Sequence, residues 1–294
     1  MSLTLLHGTA EVHSEEATSI LLAWNWEPTV VLGLVAALLG YGLLAWRLYA
    51  THGRFDGRAA IAWVFGLLAV TVALMSPLDA LADTRLLSAH MVQHGLLMSV
   101  APPLLLLGLY PRLVVPVTRP IMKPLLRDRR THAVLKAASS PGLALGIWLV
   151  VLYAWHVPTL YQWALRNEVV HIVEHVFFIH AGLLFWLPVI EPVPTLTRMK
   201  LSEKLAYLAV AQVGTGVLAA IMIWGPPLYP FYESSQTFWG LSTVADQRVA
   251  GLTMMVMDML PALSVAGWIL FKSLTVEERR ERSINRKEEA WRVI

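Results

Sequence analysis

The sequence predicts an all-α polytopic membrane protein: a bundle of seven transmembrane helices, N-terminus outside and C-terminus cytoplasmic. Three observations predict it. Of 294 residues, 56% are hydrophobic and only 15% charged, and the mean hydropathy is +0.58, more apolar surface than a soluble domain can hide. The apolar residues fall into seven runs of spanning length. The basic residues are confined almost wholly to alternate loops. The chain contains no cysteine, which excludes thiolate metal sites, iron–sulfur clusters and disulfides. A net charge of +3 would suit nucleic acid by number alone. Its placement beside apolar runs assigns it to a lipid bilayer instead, and no nucleic-acid partner is expected.

Residues 1–27 carry Glu11, Glu15, Glu16 and Glu27, with His7 and His13, but no Lys or Arg. They read as a short acidic extracytoplasmic tail rather than a secretory signal, which needs a basic start. The membrane domain, 28–271, holds spans at Pro28–Leu48, Ala59–Ser76, Leu86–Gly108, Pro141–His156, Val169–Ile190, Glu203–Trp224 and Val249–Phe271. The fourth is short. Gly33, Gly40, Gly214 and Gly216 allow close helix approach, and Pro102–Pro103 should kink the third span. Between the third and fourth spans, residues 110–140 mix apolar residues, prolines and seven basic residues, as a segment lying on anionic headgroups would. Residues 272–294 interleave Glu with Arg and read as a cytoplasmic charged helix. Assigning 110–140, 191–204, 272–294, 50–58 and Arg47 to one side places 20 of the 23 Lys and Arg there. That bias sets the orientation.

With this orientation, five histidines fall into one layer at the outer face. His90 and His94 share a face of the third span, roughly 6 and 12 Å in from its start at 1.5 Å per residue. His156 ends the fourth span. His171 and His175, again four apart, open the fifth. Met98 continues the His94 face, and Met254 and Asp258 share a face of the seventh span, which Asp246 opens. Glu174 lies between the paired histidines of the fifth span, where it can orient an imidazole. His180 points elsewhere. Intramembrane imidazoles at one depth call for a function. Two His-x₃-His pairs on two helices offer several imidazoles to a common centre. Imidazole suits copper, zinc, nickel and iron, whereas thioether selects Cu(I), so a cysteine-free His and Met set points to copper. The expected ligands are His90, His94, His156, His171, His175, Asp246 and Met254, supported by Glu174, Met98 and Asp258.

Four ordered motifs then resemble the CtaG-type, polytopic cytochrome c oxidase assembly factors. They are Met91-Val92-Gln93-His94 with Leu96-Leu97-Met98 and Ala101-Pro102-Pro103-Leu104; His156-Val157-Pro158-Thr159-Leu160-Tyr161 with Ala164-Leu165; His171-Ile172-Val173-Glu174-His175 with Gly182, Phe185-Trp186 and Pro188-Val189; and Asp246-Gln247-Arg248 with Ala250-Gly251-Leu252 and Met254-Met255. The resemblance spans about residues 25–272. It implies a part in maturing the copper centres of a haem–copper oxidase in the bacterial cytoplasmic (inner) membrane. Oxidase subunits and a periplasmic copper chaperone are the implied partners. His94, His156, His171, His175, Asp246 and Met254 match the motifs; His90 lies outside them. The run Met255-Val256-Met257-Asp258-Met259-Leu260-Pro261 departs from the Met-Trp and Pro-Gly that the family leads one to expect there.

Two further readings stay open from sequence. One is a seven-span zinc-dependent hydrolase, with three histidines and a carboxylate on the metal and Glu174 or Asp258 as general base. The other is a b-type haem redox protein. The outer loop Gly225–Asp246, with Tyr229, Phe231, Tyr232, Phe238 and Trp239, either covers the site, receives a partner, or forms an interfacial aromatic belt.

Overall fold

The computed structural model describes residues 22–193, 197–233 and 240–292. His7, His13 and most of the acidic tail, and likewise Phe238 and Trp239, lie outside the described residues. Among the described residues there is no strand. The chain runs as α1 (Pro28–His52), α2 (Gly57–Met75), α3 (Pro77–Thr84) and α4 (Leu87–Gly95). A π-helical turn (Leu96–Val100) follows, then α5 (Ala101–Gly108), α6 (Pro111–Arg127), α7 (Arg129–Ala138), α8 (Pro141–Trp155), α9 (Pro158–Arg166), α10 (Glu168–Ile190), α11 (Leu201–Trp224) and α12 (Thr243–Arg292).

The helix starts are written locally. α1, α3, α6, α8 and α9 each open on a proline, whose missing N–H is one of the helix's unpaired donors anyway. Side chains cap several of them: Asp56 accepts from Arg58 N and Ala59 N, Ser140 from Leu143 N, and Asn167 from Val170 N. At its far end α1 stops on Gly53 at φ 60°, a left-handed backbone that glycine adopts without cost.

Among the described residues, six helical stretches are long and apolar enough to cross a membrane. A seventh arises where α7 and α8 are read together, bent by 51° at their junction. α8 has only 15 residues, so the short fourth span expected from sequence is short in the structure too. The third span, α4 through α5, is central: 67% of it is buried against 11% of α1. It is wrapped by α2, α10 and α12, while the peripheral helices turn residues such as Leu32, Phe65, Val213 and Leu263 outward, as acyl-chain contact requires. α12 continues without a break from the seventh span to Arg292, so no structural boundary marks residue 272.

Pro102 and Pro103 do not break the third span. The helix widens into the π turn just ahead of them, with Ala101 N bonded to Leu96 O five residues back. Pro102 has no N–H for the Met98 carbonyl four residues earlier. That carbonyl lies against Gly182 of α10, where a Cβ would run into it and into the Pro102 ring. Gly182→Ala is therefore expected to destabilise the protein by about 1–3 kcal/mol, seen as a lowered midpoint of thermal unfolding in detergent; an unchanged midpoint would show that α10 can move aside.

Segment 110–140 is a helical pair rather than an irregular loop. Pro116, Pro120 and Pro124 hide α6 from a sequence reading, yet they are four apart and all exposed. The carbonyls they free line one solvated stripe, so the rest of the helix is undisturbed.

Candidate metal centre

α3, α4, α8 and α10 bring their chemistry to one end of the bundle. His90 and His94, one turn apart on α4, are 0% and 4% exposed. Their Nε2 atoms lie 2.7 Å apart, a spacing at which two ring nitrogens share a proton; a cation held tetrahedrally by both would part them to about 3.3 Å. Glu174 of α10 is wholly buried and presents Oε1 to His94 Nε2 at 3.6 Å and Oε2 to His171 Nε2 at 4.0 Å. The His171 ring stands 4.2 Å from that of His175 and 5.4 Å from that of His90. His94 is 5.9 Å from His175 and 6.1 Å from His156, centroid to centroid. All five histidines expected from sequence thus meet, with His94 beside His90, His156 and His175.

Two sets of three ligand-type groups converge within 4.8 Å: His90, His94 and Glu174, and Asp83, His90 and His171. Among these residues, the buried atoms Asp83 Oδ1, His94 Nδ1, His171 Nε2 and both carboxylate oxygens of Glu174 have no hydrogen-bond partner, nor has His175 Nε2. Each such atom costs about 1–3 kcal/mol when left unmade. Such a cluster fits a cation, which would satisfy the atoms that converge on it, in either set of three, and exchange their penalty for coordination.

Asp83 was not singled out from sequence. It sits on α3 with Oδ1 3.5 Å from His171 Nε2. Burial first, and the neighbouring Asp79 carboxylate second, push its carboxyl up to about 8, the behaviour of a carboxylate awaiting a positive charge. Asp79, raised by burial as well, accepts from Gln93 Nε2 at 2.7 Å and Asn25 Nδ2 at 2.9 Å. Gln93 also donates to Ala73 O, tying α3 and α2 to the helix of His90 and His94. The signal was present: Ser76-Pro77-Leu78-Asp79 is a helix-start pattern, and Asp79 and Asp83 are four apart on the face it opens. Asp79, Asp83, Glu27, Glu168, His171 and His175 are among the residues that line a groove of about 440 Å³.

The roof is aromatic. Tyr229 and Tyr232, in the segment between α11 and α12, are buried. Tyr232 Oη donates to Ala82 O at 2.8 Å and stands 3.4 Å from His90 Nδ1; Tyr229 Oη donates to His156 O at 2.9 Å. These two tyrosines cover the site and do not form an exposed belt.

The remaining expected residues divide. Met98, Met254 and Asp258 line a small cavity of about 20 Å³ with Met91, His94 and His156. Within it the Asp258 carboxylate accepts from Ser99, Gln212 and Thr215 at 3.0, 2.7 and 2.8 Å. Asp246 is committed elsewhere. Its oxygens accept from Leu87 N at 2.7 Å, Ser88 N at 3.2 Å and Ser88 Oγ at 2.5 Å, capping α4 from another helix. His180 donates from Nδ1 to Val176 O on the exposed side of α10 and takes no part.

An α-helical membrane bundle with a buried cluster of imidazoles and carboxylates defines the class: a polytopic protein with ligand-type residues gathered at one end. Residues 39–275 match the cytochrome c oxidase caa3 assembly factor family, and the chain belongs to that family. No curated protein and no solved structure matches it. The role that goes with the family is assembly of cytochrome c oxidase.

Proposed function

We propose that the chain serves oxidase assembly by holding copper in the histidine layer, at the outer face of the bacterial cytoplasmic membrane. Copper would arrive from a periplasmic chaperone along the acidic groove and pass to an oxidase subunit docked at that end. The observation that carries the reading is the convergence of His90, His94 and Glu174, and of Asp83, His90 and His171, within 4.8 Å, with six buried ligand-type atoms of the cluster lacking a hydrogen-bond partner. Copper is favoured over zinc by Met91, whose Sδ lies 3.4 Å from His156 Nε2, because zinc rarely takes thioether.

A zinc hydrolase draws its support from the Asp83, His90 and His171 group, which resembles a two-histidine, one-carboxylate zinc set. A haem is disfavoured: the cavity between the facing helices is about 20 Å³, no space for a macrocycle.

Metal analysis of protein purified without chelator tests the reading. Copper at one or more equivalents supports it; zinc alone would favour the hydrolase, and a Soret band the haem protein. A reporter fused after Ile294 is expected in the cytoplasm, and its appearance outside would reverse the layer's assignment to the outer face.

A further inference from the structure

The metal layer divides by chemistry into two levels. The upper one, at Asp83, His90, His94, His171 and Glu174, offers only nitrogen and oxygen. Beneath it, the cavity of about 20 Å³ carries three thioethers, Met91, Met98 and Met254, beside His156. A cavity that size holds one water-sized occupant.

The tautomer of His156 is decided by its surroundings. Nδ1 lies 2.7 Å from the Leu152 carbonyl, which can only accept, so Nδ1 carries the proton. The bare lone pair is then on Nε2, and it faces Met91 Sδ at 3.4 Å. Sulfur of a thioether has no proton to donate. Two acceptors thus face each other in a buried place, His156 being 5% and Met91 1% exposed. A cation between them would let both bond. The spacing suits one: metal–nitrogen and metal–sulfur bonds of about 2.0 and 2.3 Å at a tetrahedral angle put the donors about 3.5 Å apart. A backbone carbonyl that fixes the distal nitrogen of a ligating histidine is also how metal sites orient imidazoles.

We infer that Met91 and His156, with Met98 and Met254, form a second metal station selective for a soft monovalent cation, Cu(I), separate from the nitrogen–oxygen station above it that takes divalent ions. The inference rests on the copper-handling reading of the same layer and adds to it that two ions of different hardness bind at once. No redox step is required of the protein; each station accepts the oxidation state its donors prefer.

The test uses the full chain in detergent, with Ag(I) as the probe for the soft station and Co(II), followed by its visible ligand-field bands, for the hard one. Wild type is expected to bind one of each together. Met91→Leu, a swap of similar volume, should weaken Ag(I) about 10- to 100-fold and leave Co(II) within about two-fold. Asp83→Asn should do the reverse, weakening Co(II) about 10-fold and leaving Ag(I) unchanged. Displacement of Co(II) by Ag(I) one for one, or Ag(I) binding indifferent to Met91→Leu, overturns the two-station inference while the single-centre copper reading stands. Failure to bind either ion overturns both.

Discussion

His94→Ala is expected to weaken divalent-metal binding at least about 100-fold, some 2.7 kcal/mol, while the protein remains folded and inserted. His94 sits at the crossing of the cluster. Its Nε2 is 2.7 Å from His90 Nε2 and 3.6 Å from Glu174 Oε1, and its ring also borders the cavity below. Removal takes one ligand outright and leaves Glu174 without its nearer partner. The helix itself should survive, since alanine is the best helix former and the hole opens beside Phe178, whose ring is 4.2 Å from that of His94. Equilibrium dialysis against Co(II), with circular dichroism as the fold control, measures both. Metal affinity equal to wild type in a folded variant would exclude the cluster as the centre. Glu174→Gln is the companion test. It removes charge but keeps shape, and a loss of about 10-fold is expected from the same assay; no loss would mean the carboxylate never faces the ion.

How far the centre could be read from sequence depends on whether a residue's partner is near or far along the chain. His90 and His94, like His171 and His175, were legible because one helical turn puts residues four apart on one face. Their convergence followed from loop charges, which send the third and fifth spans in from the same side. His156 joined them by ending the fourth. Hydropathy says nothing of the short helices between spans, so α3 and α9 were not anticipated, and Asp83 was missed with α3. The same blindness hid α6 behind its three prolines. Met91 illustrates a different limit. Its side chain meets His156 across 65 residues, and a methionine in an apolar helix is indistinguishable by pattern from core filler. The spans themselves were legible nearly throughout, because lipid requires every backbone group to be satisfied inside a helix and so leaves the apolar run as a direct record of the fold.

Asp246→Ala is expected to cost about 2–4 kcal/mol of stability without removing a metal ligand. Its three bonds reach across 159 and 158 residues to the first turn of α4, whose own N-cap position, Leu86, has no capping side chain. A sequence reading sees a carboxylate at the start of a span and can count it as a ligand or as a cap of its own helix; only the packing of α12 on α4 reveals that it caps its neighbour. Alanine would leave two amides and a hydroxyl unpaired, each at about 1–3 kcal/mol where water is scarce and less where it reaches them, and would forfeit the attraction of a negative charge to a helix N-terminus. Asp246→Asn keeps an acceptor oxygen and should lose roughly half as much. Thermal unfolding in detergent gives the stability, and amide exchange at residues 87–90 gives the location, since only a lost cap frays that turn. Because the turn so held carries His90, metal affinity should fall by only a few-fold in Asp246→Asn. A loss as deep as that of His94→Ala, with no fraying of α4, would instead restore Asp246 to the ligand set.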